Sequence, residues 1–133
     1  MQTTSTNALK EQECVEHIGG IITQYRYNFS TEKELQDGLE KAFIENEIQY
    51  EREVRLQQRD IIDFVVTHHG IRLGIEVKIN GNRNALLRQI SRYLEHESID
   101  SIFVVGTPYW ILNIPQSLHG KELYCHRILG AIQ

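Results

Sequence analysis

The chain has 133 residues, 41% apolar and 24% charged, with a formal net charge of −4. This is enough for one domain around its own core, and the mix is that of an ordinary globule, not of a disordered or fibrous chain. No apolar run approaches the roughly 18 residues of a membrane span, and the acidic total gives no general affinity for phosphates.

Met1 to Thr6 is a polar leader, expected to be disordered, without the apolar core of a signal peptide. A cytoplasmic protein is expected. Asn7 to Ile18 reads as a short helix, with Leu9, Val15 and Ile18 apolar, ended by Gly19-Gly20. Ile21 to Phe29 alternates poorly and reads as extended or irregular. Residues 1–29 thus read as a leader or arm ahead of a domain over 30–133, with docking or dimerisation as the arm's possible use.

Ser30 or Thr31 caps the best-marked helix, and Glu32 and Glu34 in its first turn suit the helix dipole. Leu35, Leu39, Ala42 and Phe43 form a one-sided apolar stripe, and the helix ends near Asn46. Gly38 lies one turn after Glu34 and leaves room beside that carboxylate. Ile48 to Leu56 reads as a first strand, followed by the polar turn Gln57 to Asp60.

Two β-branched runs follow, Ile61 to Val66 and Ile71 to Val77, split by His68-His69-Gly70. They predict a hairpin buried on much of both faces. Strand alternation points Ile75, Val77 and Ile79 one way, and Glu76 and Lys78 the other. Asp63 interrupts the first run. Charged groups enter such strands when they are paired or bind something. Two neighbouring carboxylates repel when ionised, a divalent cation removes that penalty, and a lysine beside them can hold or deprotonate water. This is the composition of a magnesium-dependent phosphodiester-cleaving site.

Asn80-Gly81-Asn82 closes the hairpin, and Ala85 to His96 reads as a helix. Gln89 and Tyr93 share one face of it, as do Arg88 and Arg92. From Ile71 to Arg92, five basic residues (Arg72, Lys78, Arg83, Arg88 and Arg92) stand against Glu76 alone. Ser101 to Val105 reads as an interior strand, parallel to its neighbour because a helix intervenes. Tyr109 to Leu112 is apolar, with Tyr109 and Trp110 open to core or interface roles, and Leu123 to Leu129 reads as a closing strand. Cys14 and Cys125 match no metal spacing and suit a reduced compartment. The scattered histidines read as surface and turn residues.

At Asp63 and Glu76-Val77-Lys78 the sequence resembles the PD-(D/E)xK nuclease superfamily, with Ile62 where the motif's proline often stands. Gln89 and Tyr93, spaced Q-x-x-x-Y after the lysine, resemble a further motif of its RecB-like branch. The resemblance spans about Ser30 to Val105. It implies a restriction-endonuclease-like α/β fold, a mixed central sheet flanked by helices. It implies Mg²⁺- or Mn²⁺-dependent cleavage of DNA leaving a 5′-phosphate. Asp63, Glu76 and the Val77 carbonyl would ligate the metal, and Lys78 would orient or activate water. Glu34 would be the helix acid, with Glu32 and Glu40 as alternatives. Gln89 and Tyr93 would hold the strand, and Arg83, Arg88 and Arg92 would contact phosphates. A homodimer would supply the two sites that junction or double-strand cutting needs. The rival expectations are a non-catalytic nucleic-acid- or protein-binding domain on the same fold, and a small structural partner in a larger complex. Apart from the motif, Tyr93 reads as a residue packed in the core and Gln89 as a surface one.

Overall fold

The computed structural model describes residues 2–129, with side chains from residue 6 onward. Met1 of the expected leader and the last four residues of the 30–133 unit lie outside the described residues. The order is α1 (Gln2–Gln24), α2 (Glu32–Glu45), β1 (Tyr50–Gln57), β2 (Asp60–His68), β3 (Ile71–Lys78), α3 (Arg83–Leu94), β4 (Ser101–Gly106), a 3-10 helix (Tyr109–Asn113), β5 (Ser117–Leu118) and β6 (Lys121–Arg127). The strands form one mixed sheet in the order β1-β2-β3-β4-β6-β5. β1, β2 and β3 are antiparallel neighbours; β3, β4 and β6 run parallel; β5 closes the edge antiparallel to β6. Among the described residues no helix is long and apolar enough to cross a membrane.

Helices cover both faces. On one, Cys14, Ile18 and Ile22 of α1 and Leu35, Leu39 and Phe43 of α2 pack on Phe64, Ile75, Val77 and Phe103. On the other, Leu86, Ile90, Tyr93 and Leu94 of α3, with Ile111, pack on Ile62, Val65, Ile102 and Val104. The strand-helix-strand passage β3-α3-β4 makes a parallel pair, as the sequence implied. Thr31 caps α2, its hydroxyl accepting from the Glu34 amide at 3.1 Å.

Three expectations need correction. The first helix neither starts at Asn7 nor stops at Gly19-Gly20: α1 runs unbroken from Gln2, within the leader expected to be disordered, to Gln24, and buries Ile21 and Ile22 from the stretch expected to be extended or irregular. Two mid-helix glycines cost about 2 kcal/mol together, less than two buried isoleucines return. Gly19 lies against the Phe103 ring, where a Cβ would sit at 3.4 Å, an ordinary contact distance. Second, α1 is part of the core, not an arm beside it. Third, Gly38 makes room for the Tyr27 ring, not for a carboxylate; a Cβ there would meet Tyr27 Cδ1 at 2.9 Å.

The hairpin β1-β2 has an inversion that alternation alone does not predict. Tyr50 packs toward the α1/α2 side, whereas Val54 and Leu56, of the same parity, pack toward α3. The switch falls at Glu53, whose φ is +56°. A non-glycine residue there is strained by on the order of 1 kcal/mol. Across the pair, Phe64 stays with the first core while Ile62 joins the second. Asp63 stands between them, at the point of inversion.

Candidate active site

The β2-β3 ladder runs from His68/Ile71 to Phe64/Ile75 and ends there. The next two residues, Asp63 and Glu76, replace backbone pairing with side chains. The Val77 amide donates to Asp63 Oδ2 at 2.7 Å, and the Asp63 amide donates to Glu76 Oε1 at 3.4 Å. Lys78 Nζ lies 3.8 Å from Glu76 Oε2. All three charged side chains therefore converge, on strands that the two cores hold from both sides.

Glu76 is 2% exposed. Burial, and then the facing Asp63, push its carboxyl well above the usual carboxylate range, with the Lys78 ammonium opposing. Burial likewise pushes Asp63 up to about 6, against the Val77 N–H and Lys78, which favour the ionised form. Two acids held this close and mainly out of water repel when both are ionised, a cost that nearby positive charge reduces. Among the described residues no three His, Cys, Asp or Glu side chains converge on one ion position. The oxygen set is two carboxylates with neighbouring backbone, a hard-donor composition that suits Mg²⁺ or Mn²⁺, ions that keep several waters.

Of the three acids considered on α2, the structure brings Glu32 to the site and not Glu34. Glu32 Oε2 accepts from the Ile79 amide at 3.1 Å, and its charge raises both Asp63 and Glu76. Glu34 turns back and accepts from the Ser30 amide at 2.7 Å and its hydroxyl at 3.0 Å, which hold its carboxyl below the usual range. Glu40 accepts from Tyr50 Oη at 2.7 Å and Arg52 at 2.8 Å. Arg52, anchored by Glu40, Asp37 and Gln36, favours ionised Asp63 from the β1 side; sequence reading gave it no role. Its position in β1, opposite Phe64, was the available signal.

A cavity of about 450 Å³ opens beside Lys78, lined by Glu32, Asn80, Asn82, Leu86, Gln89 and Arg92 among others. Gln89 and Arg92 thus border the site. Arg92 is held there by Asp60, Nε to Oδ1 at 2.9 Å. Tyr93 does not face the cavity: it is 1% exposed, and its hydroxyl donates to the Ile61 carbonyl at 2.7 Å. The expected strand-binding tyrosine is instead a clamp on β2, two residues before Asp63. Arg83 donates from Nε to the Asn113 carbonyl at 2.8 Å, and Arg88 is exposed on α3. His69 and Gly70 both adopt positive φ in the β2-β3 turn, which brings the His68 and His69 rings to 4.2 Å. No family model, curated protein or solved structure matches the chain significantly.

Proposed function

We propose that this chain is a divalent-metal-dependent nuclease of the PD-(D/E)xK kind, with a restriction-endonuclease-like fold, hydrolysing phosphodiester bonds of DNA. One observation carries the reading: half-buried Asp63 and buried Glu76 stand together where a strand ladder opens, with the Lys78 ammonium 3.8 Å from the second acid. Asp63, Glu76 and the Val77 carbonyl would hold Mg²⁺ or Mn²⁺, with Glu32 close by. When bound, the ion supplies the positive charge that a phosphodiester needs as it gains negative charge.

The chain's own groups do the rest. Lys78, its side chain 24% exposed at the cavity mouth, positions a water and offsets charge on the phosphate oxygens. Gln89 and Arg92 line the cavity where a strand would pass, and Arg83 and Arg88 extend the basic edge. In-line attack leaves the phosphate on the 5′ side, as the family resemblance implies. A cytoplasmic setting suits the free thiols of Cys14 and Cys125. A homodimer would bring two sites to a duplex or junction.

The test is cleavage of labelled DNA with Mg²⁺ or Mn²⁺ by Asp63→Ala, Glu76→Ala and Lys78→Ala proteins. Each loses cleavage while keeping its circular dichroism spectrum; full activity in any one overturns the assignment. One observation favours a binding domain without catalysis: an oxygen of each acid is already used by a backbone amide. A saturable Mn²⁺ site in calorimetry, lost in Glu76→Ala, decides against that reading.

A further inference from the structure

The loops beyond the parallel strands carry features the proposed chemistry does not use. No acidic residue lies between Glu76 and Glu95, and none between Asp100 and Glu122. Lys78, Gly106 and Arg127 end β3, β4 and β6 as register neighbours, so among the described residues these strand ends and the loops after β3 and β4 form one rim. Hydrogen bonds hold the rim together. The Thr107 amide donates to the Lys78 carbonyl at 3.1 Å, and its hydroxyl donates to the Ile79 carbonyl at 3.1 Å. Arg127 Nε donates to the Thr107 carbonyl, and Arg83 Nε to the Asn113 carbonyl, each at 2.8 Å.

On this rim Tyr109 is 72% exposed, and the Arg127 guanidinium lies 5.6 Å from its ring centroid. The neighbouring Trp110 turns inward and packs on the α3-side core. Tyr109 therefore fills no core need. An open aromatic ring with a cation beside it, on loops that carry no acid of their own, has the chemistry that stacks an unpaired base and attracts its phosphates.

We propose that Tyr109, backed by Arg127, is a stacking platform for an unpaired base of a nucleic-acid strand entering the Lys78 site. This rests on the nuclease reading and narrows its substrate class to single-stranded or strand-splayed DNA. A base inside a duplex has both faces covered by its neighbours and has none to offer the ring. Stacking of this kind is tolerant of sequence, so the platform selects strand state and not a base.

The experiment titrates the full chain, in EDTA, into a labelled single-stranded oligonucleotide and into a duplex of the same sequence, read by fluorescence anisotropy. Tyr109→Ala weakens single-strand binding about tenfold and leaves duplex binding unchanged, and Tyr109→Trp restores it. Unaltered single-strand affinity in Tyr109→Ala overturns the platform. So does a wild-type dimer that Tyr109→Ala dissociates in sedimentation, because the ring then packs on a second copy of the chain. The two readings fail separately. Cleavage that survives Asp63→Ala removes the nuclease and leaves the binding result standing. Cleavage lost in Asp63→Ala, with Tyr109→Ala binding as wild type, removes the platform alone.

Discussion

The Asp63 carboxylate accepts from the Val77 amide at 2.7 Å while the Asp63 amide donates to the Glu76 carboxylate at 3.4 Å. This exchange closes the open end of the β2-β3 ladder, and it places two acids where neither ionises freely. The metal-free protein is therefore least comfortable when both are charged. A carboxyl whose folded pKa is raised favours folding most when protonated in both states. For Asp63 that contribution is lost as pH rises from about 4, its ordinary value, to about 6. The shift of about two units corresponds to no more than about 3 kcal/mol. Asp63→Asn, which keeps an acceptor for Val77, should raise the melting temperature in EDTA near neutral pH and abolish cleavage. Mg²⁺ should stabilise the wild type more at about pH 8 than at about pH 5, since protons compete for the same oxygens. Thermal melts across pH with and without Mg²⁺ check both; an Asp63→Asn protein less stable than wild type at neutral pH contradicts them.

The two first-turn acids of α2 divide structure from chemistry. Glu34 ties down Ser30 at the helix start, and Glu32 reaches the Ile79 amide next to Lys78. Glu34→Ala should lower the melting temperature modestly and leave cleavage near wild type. Glu32→Ala should cut cleavage at least tenfold with a smaller effect on melting. The Glu34 carboxyl is held below its usual range, so its contribution persists above the ordinary carboxylate pKa and disappears as pH falls through the depressed one. Swapped outcomes for the two variants would reverse the assignment.

Tyr93 separates the clamp from the strand contact that the Q-x-x-x-Y pattern implied. Its hydroxyl is spent on the Ile61 carbonyl, in the strand that delivers Asp63. Tyr93→Phe removes one buried hydrogen bond and leaves that carbonyl short of a partner, a cost of about 1–2 kcal/mol. Denaturant unfolding should show that loss while oligonucleotide affinity stays at the wild-type value. Gln89→Ala, on the cavity wall, should do the reverse.

The order of elements was legible because β-branched runs, turn residues and the Leu35/Leu39/Phe43 stripe all follow from local rules. The shared side of Glu76 and Lys78 was legible for the same reason, since period-two alternation acts within a single strand, whereas Asp63 sits at an inversion that alternation does not give. What stayed hidden depends on contacts distant in sequence. The passage of α1 through Gly19-Gly20 is decided by the burial of Ile21 and Ile22 against the sheet, whose strands lie far along the chain. The choice between Glu32, Glu34 and Glu40 depends on which one lies over Ile79, Ser30 or Arg52, and helical spacing alone does not select among them. Tyr93 and Gln89 share a face in sequence, yet the sheet lies close enough under Tyr93 to swallow its ring.

The inversion at Glu53 makes a prediction of its own. Because Ile62 crosses to the α3 side, its Cδ1 occupies the space above Gly74 that a β-carbon there would need. Ile102 Cγ1, at 3.4 Å, bounds the same space, so Ile62 has little room to yield. Gly74→Ala should cost about 1–3 kcal/mol through overpacking, and Ile62→Val about 1 kcal/mol through lost contact. Combined, the valine lacks the clashing Cδ1 and frees the space for the alanine. The double variant should then be more stable than the sum of the two losses by about 1 kcal/mol or more. Cleavage should follow the same pattern, because a displaced Ile62 drags Asp63 away from Val77. Urea unfolding of the four proteins gives the coupling directly. Strict additivity would show that Ile62 Cδ1 is free to move aside and does not set the need for glycine at position 74.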